Sequence, residues 1–184
     1  MKKSIFTAVL VCLFFSNTNA QFLQLGAKAG ISFSNFGGGD IEGVDFKMLT
    51  NYHFGVVAEL KLLDNLALQP ELLYSTQGAE IDGLGVQFKN ELGYIALPVL
   101  IKFYLTDNKL SLEAGPQLSF LVSEKNEVNY DDSETFDFGF AAGLSYKLTN
   151  NIFVSGRYIA GLTEVKKDSD IKNSVIQFSV GIFL

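Results

Sequence analysis

The sequence has one cysteine, no tryptophan, one histidine and three prolines among its 184 residues. The lone Cys12 lies in the N-terminal apolar run, so the chain beyond it has no disulfide to hold it and must rely on hydrogen bonds and packing. No segment after residue 21 keeps a helical period of 3.6. The one long apolar run, Ile5 to Phe15, is too short to cross a bilayer permanently. With Met1-Lys2-Lys3 before it and Ser16-Asn17-Thr18-Asn19-Ala20 after it, the run reads as a secretory signal peptide cut between Ala20 and Gln21. A lipid-anchored reading of Cys12 is set aside because Val11 is not the small residue that such a site requires. The expected organisation is a leader, 1–20, and one domain, 21–184.

What the chain does have is a period of two, repeated eight times. The first run, Phe22 to Ser34, puts Leu23, Leu25, Ala27, Ala29, Ile31 and Phe33 on one face and Gln24, Gly26, Lys28, Gly30 and Ser32 on the other. The same alternation recurs in Tyr52 to Leu63, Leu66 to Gln77, Leu110 to Val122, Phe136 to Leu148, Ile152 to Leu162 and Ser174 to Leu184, while Leu92 to Leu105 is apolar on both faces and takes its phase mainly from Lys102. Such runs exceed the five or six residues typical of globular strands and suit strands that cross a bilayer at a tilt. The connections alternate too. Asp64-Asn65, Thr106 to Lys109 and Thr149 to Asn151 are tight turns, whereas Asn35 to Asn51, Gly78 to Glu91, Ser123 to Thr135 and Thr163 to Asn173 read as long loops. The predicted fold is all-β, an eight-stranded antiparallel up-and-down transmembrane barrel integral to the outer membrane, with both termini in the periplasm.

Charge follows the same division. The strands and tight turns hold six basic and six acidic residues, and the long loops hold six basic and fourteen acidic ones. The acidic excess therefore sits at the loop end, which disfavours nucleic acid as a partner. A soluble lipid carrier would turn its apolar face inward, but the other face here carries mid-strand charges and many glycines. Those glycines suit the crowded interior of an eight-stranded barrel. Phe33, Tyr52, Phe54, Tyr74, Phe120, Phe136 and Phe138 gather toward the loops, and Phe22, Phe103 and Tyr146 toward the turns, as two interfacial girdles. Pro70, Pro98 and Pro116 fall inside strands, where bulges are expected to accommodate them.

Gln69-Pro70-Glu71-Leu72-Leu73-Tyr74, Tyr94-Ile95-Ala96-Leu97-Pro98-Val99-Leu100-Ile101-Lys102, Ala114-Gly115-Pro116, and Arg157-Tyr158 with Gly161-Leu162 resemble the Bacteroidota outer-membrane β-barrel family, which includes PorT-like and porin-family barrels. The resemblance covers the whole domain. It implies a cell-envelope barrel in which the prolines are tolerated features, and the family often has an acidic residue where this chain has Ala96. A secretion role does not follow from a shared barrel.

Few residues could do chemistry. His53 faces inward by parity and no G-x-S-x-G is present, so no catalytic residue is assigned and the protein is not expected to be an enzyme. The oxygen-rich stretch Asn126 to Glu134 lacks the spacing of a calcium loop, and Gly37-Gly38-Gly39 lacks the helix and Lys-Ser/Thr of a phosphate loop. Neither metal nor cofactor is expected. Lys28, Glu59, Glu71, Lys102, Glu113 and Arg157 fall at similar depth on the inward face, and are predicted to form a salt-bridge and hydrogen-bond plug. Ile176, Phe178, Val180, Ile182 and Leu184 are the outward residues of the last strand, which must pair with the first and offers the barrel-assembly machinery its terminal signal. The expected function is structural or interactive, with outer-membrane lipid around the wall and an envelope or extracellular partner at the long loops. A small gated channel or uptake or secretion accessory is the first alternative, and a lipid-modifying enzyme the second.

Overall fold

The protein is described from a computed structural model over residues 22–37, 45–83, 86–106, 109–126, 136–164 and 172–184. The expected leader, Gly38, Gly39 and residues 127–134 of the acidic stretch lie outside these. Eight strands form a closed antiparallel barrel in sequence order: β1 (Leu23–Gly37), β2 (Asp45–Leu63), β3 (Leu66–Gly83), β4 (Val86–Thr106), β5 (Leu110–Asn126), β6 (Phe136–Lys147), β7 (Ile152–Glu164) and β8 (Lys172–Phe183).

The seam is the pairing of β8 with β1, which runs from Gly26↔Phe183 to Gly37↔Lys172. Every terminal backbone group on that edge needs a partner in a bilayer, and even Leu184 donates its N–H to the Leu25 carbonyl at 2.8 Å. Parity then sorts the side chains. Ile176, Phe178, Val180, Ile182 and Leu184 point outward and are exposed, while Val175, Gln177, Ser179 and Phe183 point inward and are buried. The same division holds around the wall, where Val56, Ile101, Leu144 and Tyr158 are each at least half exposed. An apolar exterior around a polar interior is the reverse of a soluble carrier.

Aromatic side chains meet on this exterior. Tyr52 stacks on Phe54 with ring centroids 6.4 Å apart, and Tyr74 lies 5.6 Å from Phe54. Phe120 and Phe136 sit 5.4 Å apart across β5 and β6. These contacts lie at the loop side of the belt, where rings favour an interface between hydrocarbon and water.

Two expectations are corrected. Bulges do not occur at the prolines: Pro70↔Val99, Pro98↔Gln117 and Pro116↔Phe140 keep the register of their ladders. The β3–β4 ladder passes from Pro70↔Val99 to Leu73↔Ala96, and the β4–β5 ladder from Pro98↔Gln117 to Ile101↔Ala114, each skipping two pairs without a shift. The missing proline N–H interrupts a ladder locally, and the rest of a closed barrel holds the alignment. Gly115 makes this close passage feasible, since a Cβ there would lie 2.1 Å from the Val99 carbonyl oxygen.

The second correction concerns the long loops. Much of Asn35 to Asn51 and Gly78 to Glu91, and the start of Ser123 to Thr135, is strand: β2 begins at Asp45, the β3–β4 ladder continues to Gly83↔Val86, and β5 pairs with β4 as far as Asn126. Strands lose their alternation once they leave the apolar band, because neither face then needs to be greasy, yet their backbone pairing persists. The β2–β3 register shifts between Met48 and His53. There Thr76 Oγ1 accepts from Tyr52 N–H and donates to Tyr52 C=O, both at 3.1 Å, and so supplies the pairing that the ladder loses.

At the turn end the lumen is floored by Phe153 and Phe183, whose rings stack at 4.8 Å. Gly181 leaves room for them, because a Cβ there would come within 2.2 Å of the Phe153 ring. Gly181→Ala is therefore expected to destabilise the barrel by about 1–3 kcal/mol through overpacking. The cost should largely vanish in a Phe153→Ala background, measured by urea unfolding from vesicles. An equal cost in both backgrounds would contradict the steric account.

Candidate functional site

The candidate site is the barrel lumen. An eight-stranded barrel encloses a width that side chains fill, so each inward residue must find a partner there. Alternation delivers the charged groups from different strands: Lys28 from β1, Glu59 from β2, Glu71 from β3, Lys102 from β4, Glu113 from β5 and Arg157 from β7. All six are buried.

Arg157 is the hub. Its Nη1 and Nη2 donate to the two oxygens of Glu71 at 3.0 and 2.9 Å, the forked geometry that a guanidinium matches to a carboxylate. Its Nη2 and Nε also donate to Glu113 Oε1, at 2.8 and 3.0 Å. Lys28 Nζ lies 2.8 Å from Glu71 Oε2, so one carboxylate is shared by two cations.

A second group lies nearer the turns. Lys102 Nζ is 3.1 Å from Glu59 Oε2, and Lys147 Nζ is 2.9 Å from Glu59 Oε1. Tyr104 Oη donates to the same Oε1 at 2.6 Å. Gln69 joins the two groups, accepting from Lys102 at 3.0 Å and donating to Glu71 Oε1 at 2.6 Å. Lys102 and Lys147 also lie over the floor, 5.6 Å from the Phe153 ring and 5.3 Å from the Phe183 ring respectively. Cation–π attraction is strongest where water is kept away.

Sequence reasoning placed all six charged residues inward but left out Gln69, Tyr104 and Lys147, which complete the connections. Lys147 is the last residue of β6, beside a tight turn. Its four-carbon stem spans the distance to Glu59. The reading also overlooked an apolar part of the lumen, where Leu100, Ala141, Ile159 and Val175 cluster. Ala96 faces the same interior and is buried.

His53 is inward and almost fully buried, sharing hydrogen bonds with Ser179 Oγ at 2.7 Å and with Ser32 Oγ at 3.4 Å. Nearby, Asn51 Nδ2 donates to Ser34 Oγ at 2.7 Å. No group of three or more His, Cys, Asp or Glu side chains with metal-binding geometry occurs among the described residues. The arrangement is suited to neutralising charge and filling space across a barrel.

Among solved structures, the chain is similar to Neisserial surface protein A, with 13% identity over 86% of this chain and 96% of that one at a TM-score of 0.57. It is similar to OprG from Pseudomonas aeruginosa, with 11% identity over 88% and 95% at 0.54. It is similar as well to Ail, the attachment invasion locus protein of Yersinia pestis, in complex with the heparin analogue sucrose octasulfate, with 14% identity over 89% and 100% at 0.52. At these identities the likeness is one of fold. Comparison with curated protein sequences finds no match. The sequence model of the outer membrane protein β-barrel domain matches residues 15–167. With that match spanning most of the chain and a closed eight-stranded barrel wearing an apolar belt, the protein belongs to the outer membrane protein β-barrel domain family.

Proposed function

We propose that this protein is a closed outer-membrane barrel of the structural or interaction type, which holds an acidic surface outside the cell and passes no solute in its resting state. The single observation that carries the reading is the buried network in which Arg157 joins Glu71 and Glu113 while Lys28 shares Glu71. In this reading the turns and termini face the periplasm. The loop end, where the acidic excess lies, faces outward on a sheet extension formed by β2 to β5. The resemblance of its proline-containing motifs to those of the PorT-like barrels of Bacteroidota supports an origin in that group, without transferring a secretion role. The loop charge favours a basic partner and argues against a polyanion such as the heparin analogue bound by Ail.

Planar-bilayer recording tests the closed lumen. Wild-type protein should give no steady large conductance, and regular open pores in every preparation would refute closure. Protease treatment of intact cells tests the orientation, with cleavage expected at the long loops only. One observation favours a gated channel as the second reading: Gln117 Oε1 and Gln177 Oε1 are buried without a hydrogen-bond partner among the described residues. They give the lumen acceptors that a solute could use if Arg157 let go.

A further inference from the structure

We propose that the turn-side mouth of the lumen binds a soluble polyvalent phosphate anion, held by the ammonium groups of Lys61, Lys109 and Lys147. The carboxylates at this end do not balance the lysines. The hub around Arg157 is closed on itself, since Lys28 and Arg157 are matched by Glu71 and Glu113. Nearer the turns, Lys102 and Lys147 share the single carboxylate of Glu59. Tyr104 joins them as a neutral donor to Glu59 and adds no charge. Out to the turns themselves the sequence sets Lys61, Lys102, Lys109 and Lys147 against Glu59, Asp64 and Asp107, the last outside the described residues. The surplus cation therefore belongs to the turn end, and a cation beside a low-dielectric interior is costly until an anion meets it.

Parity and register bring these lysines to one opening. On β2 the inward positions continue from Glu59 to Lys61, whose backbone pairs with that of Ala67, an inward and fully buried residue of β3. On β5 the inward side chain of Ser111 is buried, and Lys109 stands two positions before it, on the same parity. The Lys147 N–H donates to the Lys109 carbonyl at 2.9 Å, which sets the start of β5 beside the end of β6. In barrel order β2 lies opposite β6, yet Lys147 reaches Glu59 across the lumen and feels the charge of Lys61. One compact ligand can thus touch both walls. Lys109 is exposed, Lys61 is half-buried, and neither makes an ion pair among the described residues.

Burial decides which groups an anion can reach. The Lys102 side chain is sealed behind Glu59, whereas that of Lys147 is 11% exposed. The Tyr104 and Phe183 rings, 5.0 and 5.3 Å from its nitrogen, and Gln24 Oε1 at 3.4 Å hold Lys147 in place. The stacked rings of Phe153 and Phe183 stop a ligand from going deeper. The mouth is a shallow basic cup on an aromatic floor.

Chemistry selects the occupant. An ammonium is a point charge with rotatable donors and no preferred plane, so lysines converging from different walls suit a tetrahedral oxyanion better than a flat carboxylate, which an arginine fork would match. Lys61 and Lys109 lack partners of their own, so the complement carries at least two negative charges. The mouth opens along the barrel axis, whereas a lipid headgroup is tethered around the outer wall. The ligand accordingly comes from the aqueous phase. Only the placing of that phase in the periplasm rests on the orientation proposed above.

The test is isothermal titration calorimetry of the folded protein in neutral detergent with sodium pyrophosphate, at ionic strength matched with sodium chloride. Wild type should bind one pyrophosphate saturably, with an affinity that falls as salt is raised. Lys61→Gln combined with Lys109→Gln should weaken binding by about tenfold, and Lys61→Arg should retain it. Lys125→Gln removes the same charge at the loop end of β5 and should change nothing. Heat-modifiable gel mobility checks that each variant is folded, and if the double variant is not, Lys109→Gln alone should weaken binding several-fold. Absence of saturable binding to wild type would overturn the proposal, as would an undiminished affinity in the double variant or an equal loss in Lys125→Gln. So would retention of phosphatidylglycerol from mixed micelles that needs Lys61 and Lys109 and that pyrophosphate fails to displace, since the occupant would then be a lipid. None of these readouts depends on which way the barrel faces, so a wrong orientation would appear in the protease experiment alone.

Discussion

Arg157→Met is expected to destabilise the barrel by about 3–5 kcal/mol, the cost of breaking a buried ion pair from one side, and to give the lumen a measurable conductance. Two carboxylates lose their shared partner: Glu71 falls from two cations to Lys28 alone, and Glu113 loses the guanidinium that donates to its Oε1. Water and cations are the remaining means of satisfying them, so the open state should prefer cations. Urea unfolding from lipid vesicles reads the first effect, and planar-bilayer recording with a salt gradient the second. Arg157→Lys should recover little, because an ammonium cannot fork across Glu71 while reaching Glu113. The fourfold change Lys28→Met, Glu71→Gln, Glu113→Gln, Arg157→Met should recover much of the stability, since removing the charges of this group together leaves none stranded. A fully stable, non-conducting Arg157→Met would mean that these carboxylates are hydrated already and that the network plugs nothing.

Val180→Asp is the second large effect, and it acts on assembly. Val180 is 58% exposed on the lipid face of the closing strand, opposite Ala29 on β1 and Val154 on β7. A basic residue on the lipid face of a barrel costs about 2–4 kcal/mol at the bilayer midplane, and an acidic one less. Here it would also be borne while β8 is still seeking β1. The expected result is loss of the heat-modifiable band and of outer-membrane fractionation. Ser179→Asp is the control. It moves the same charge by one residue to the lumen side, beside His53 at 2.7 Å, and should assemble far better. Equal failure of both variants would mean that the strand is sensitive to any charge, whatever face it occupies.

These contrasts show where the sequence was legible. Alternation with a period of two is forced by strand geometry and by a bilayer on one side, so the barrel, its tight turns and the inward face of each strand follow directly from the order of residues. Lys28 and Glu71 face inward because every second neighbour must face lipid. The prolines were harder to read. Their missing N–H groups predict a disturbed ladder but do not say whether the register shifts, and only closure of the whole barrel keeps Pro70 opposite Val99. The strand extensions beyond the belt were hidden for the opposite reason, since pairing by backbone alone leaves no side-chain pattern.

Which charged groups touch was beyond a strand-by-strand reading. Glu59 and Lys147 are 88 positions apart, as counted by the hydrogen bond between them, and Arg157 and Glu71 are 86 apart. Those distances close only when eight tilted strands meet at one shear, which sets the height of each strand relative to its neighbours. The sequence by itself determined the face on which each side chain lies, because parity is local. Tertiary structure alone decided which inward residues share a level, and with it the fork of Arg157 on Glu71 and the linking role of Gln69.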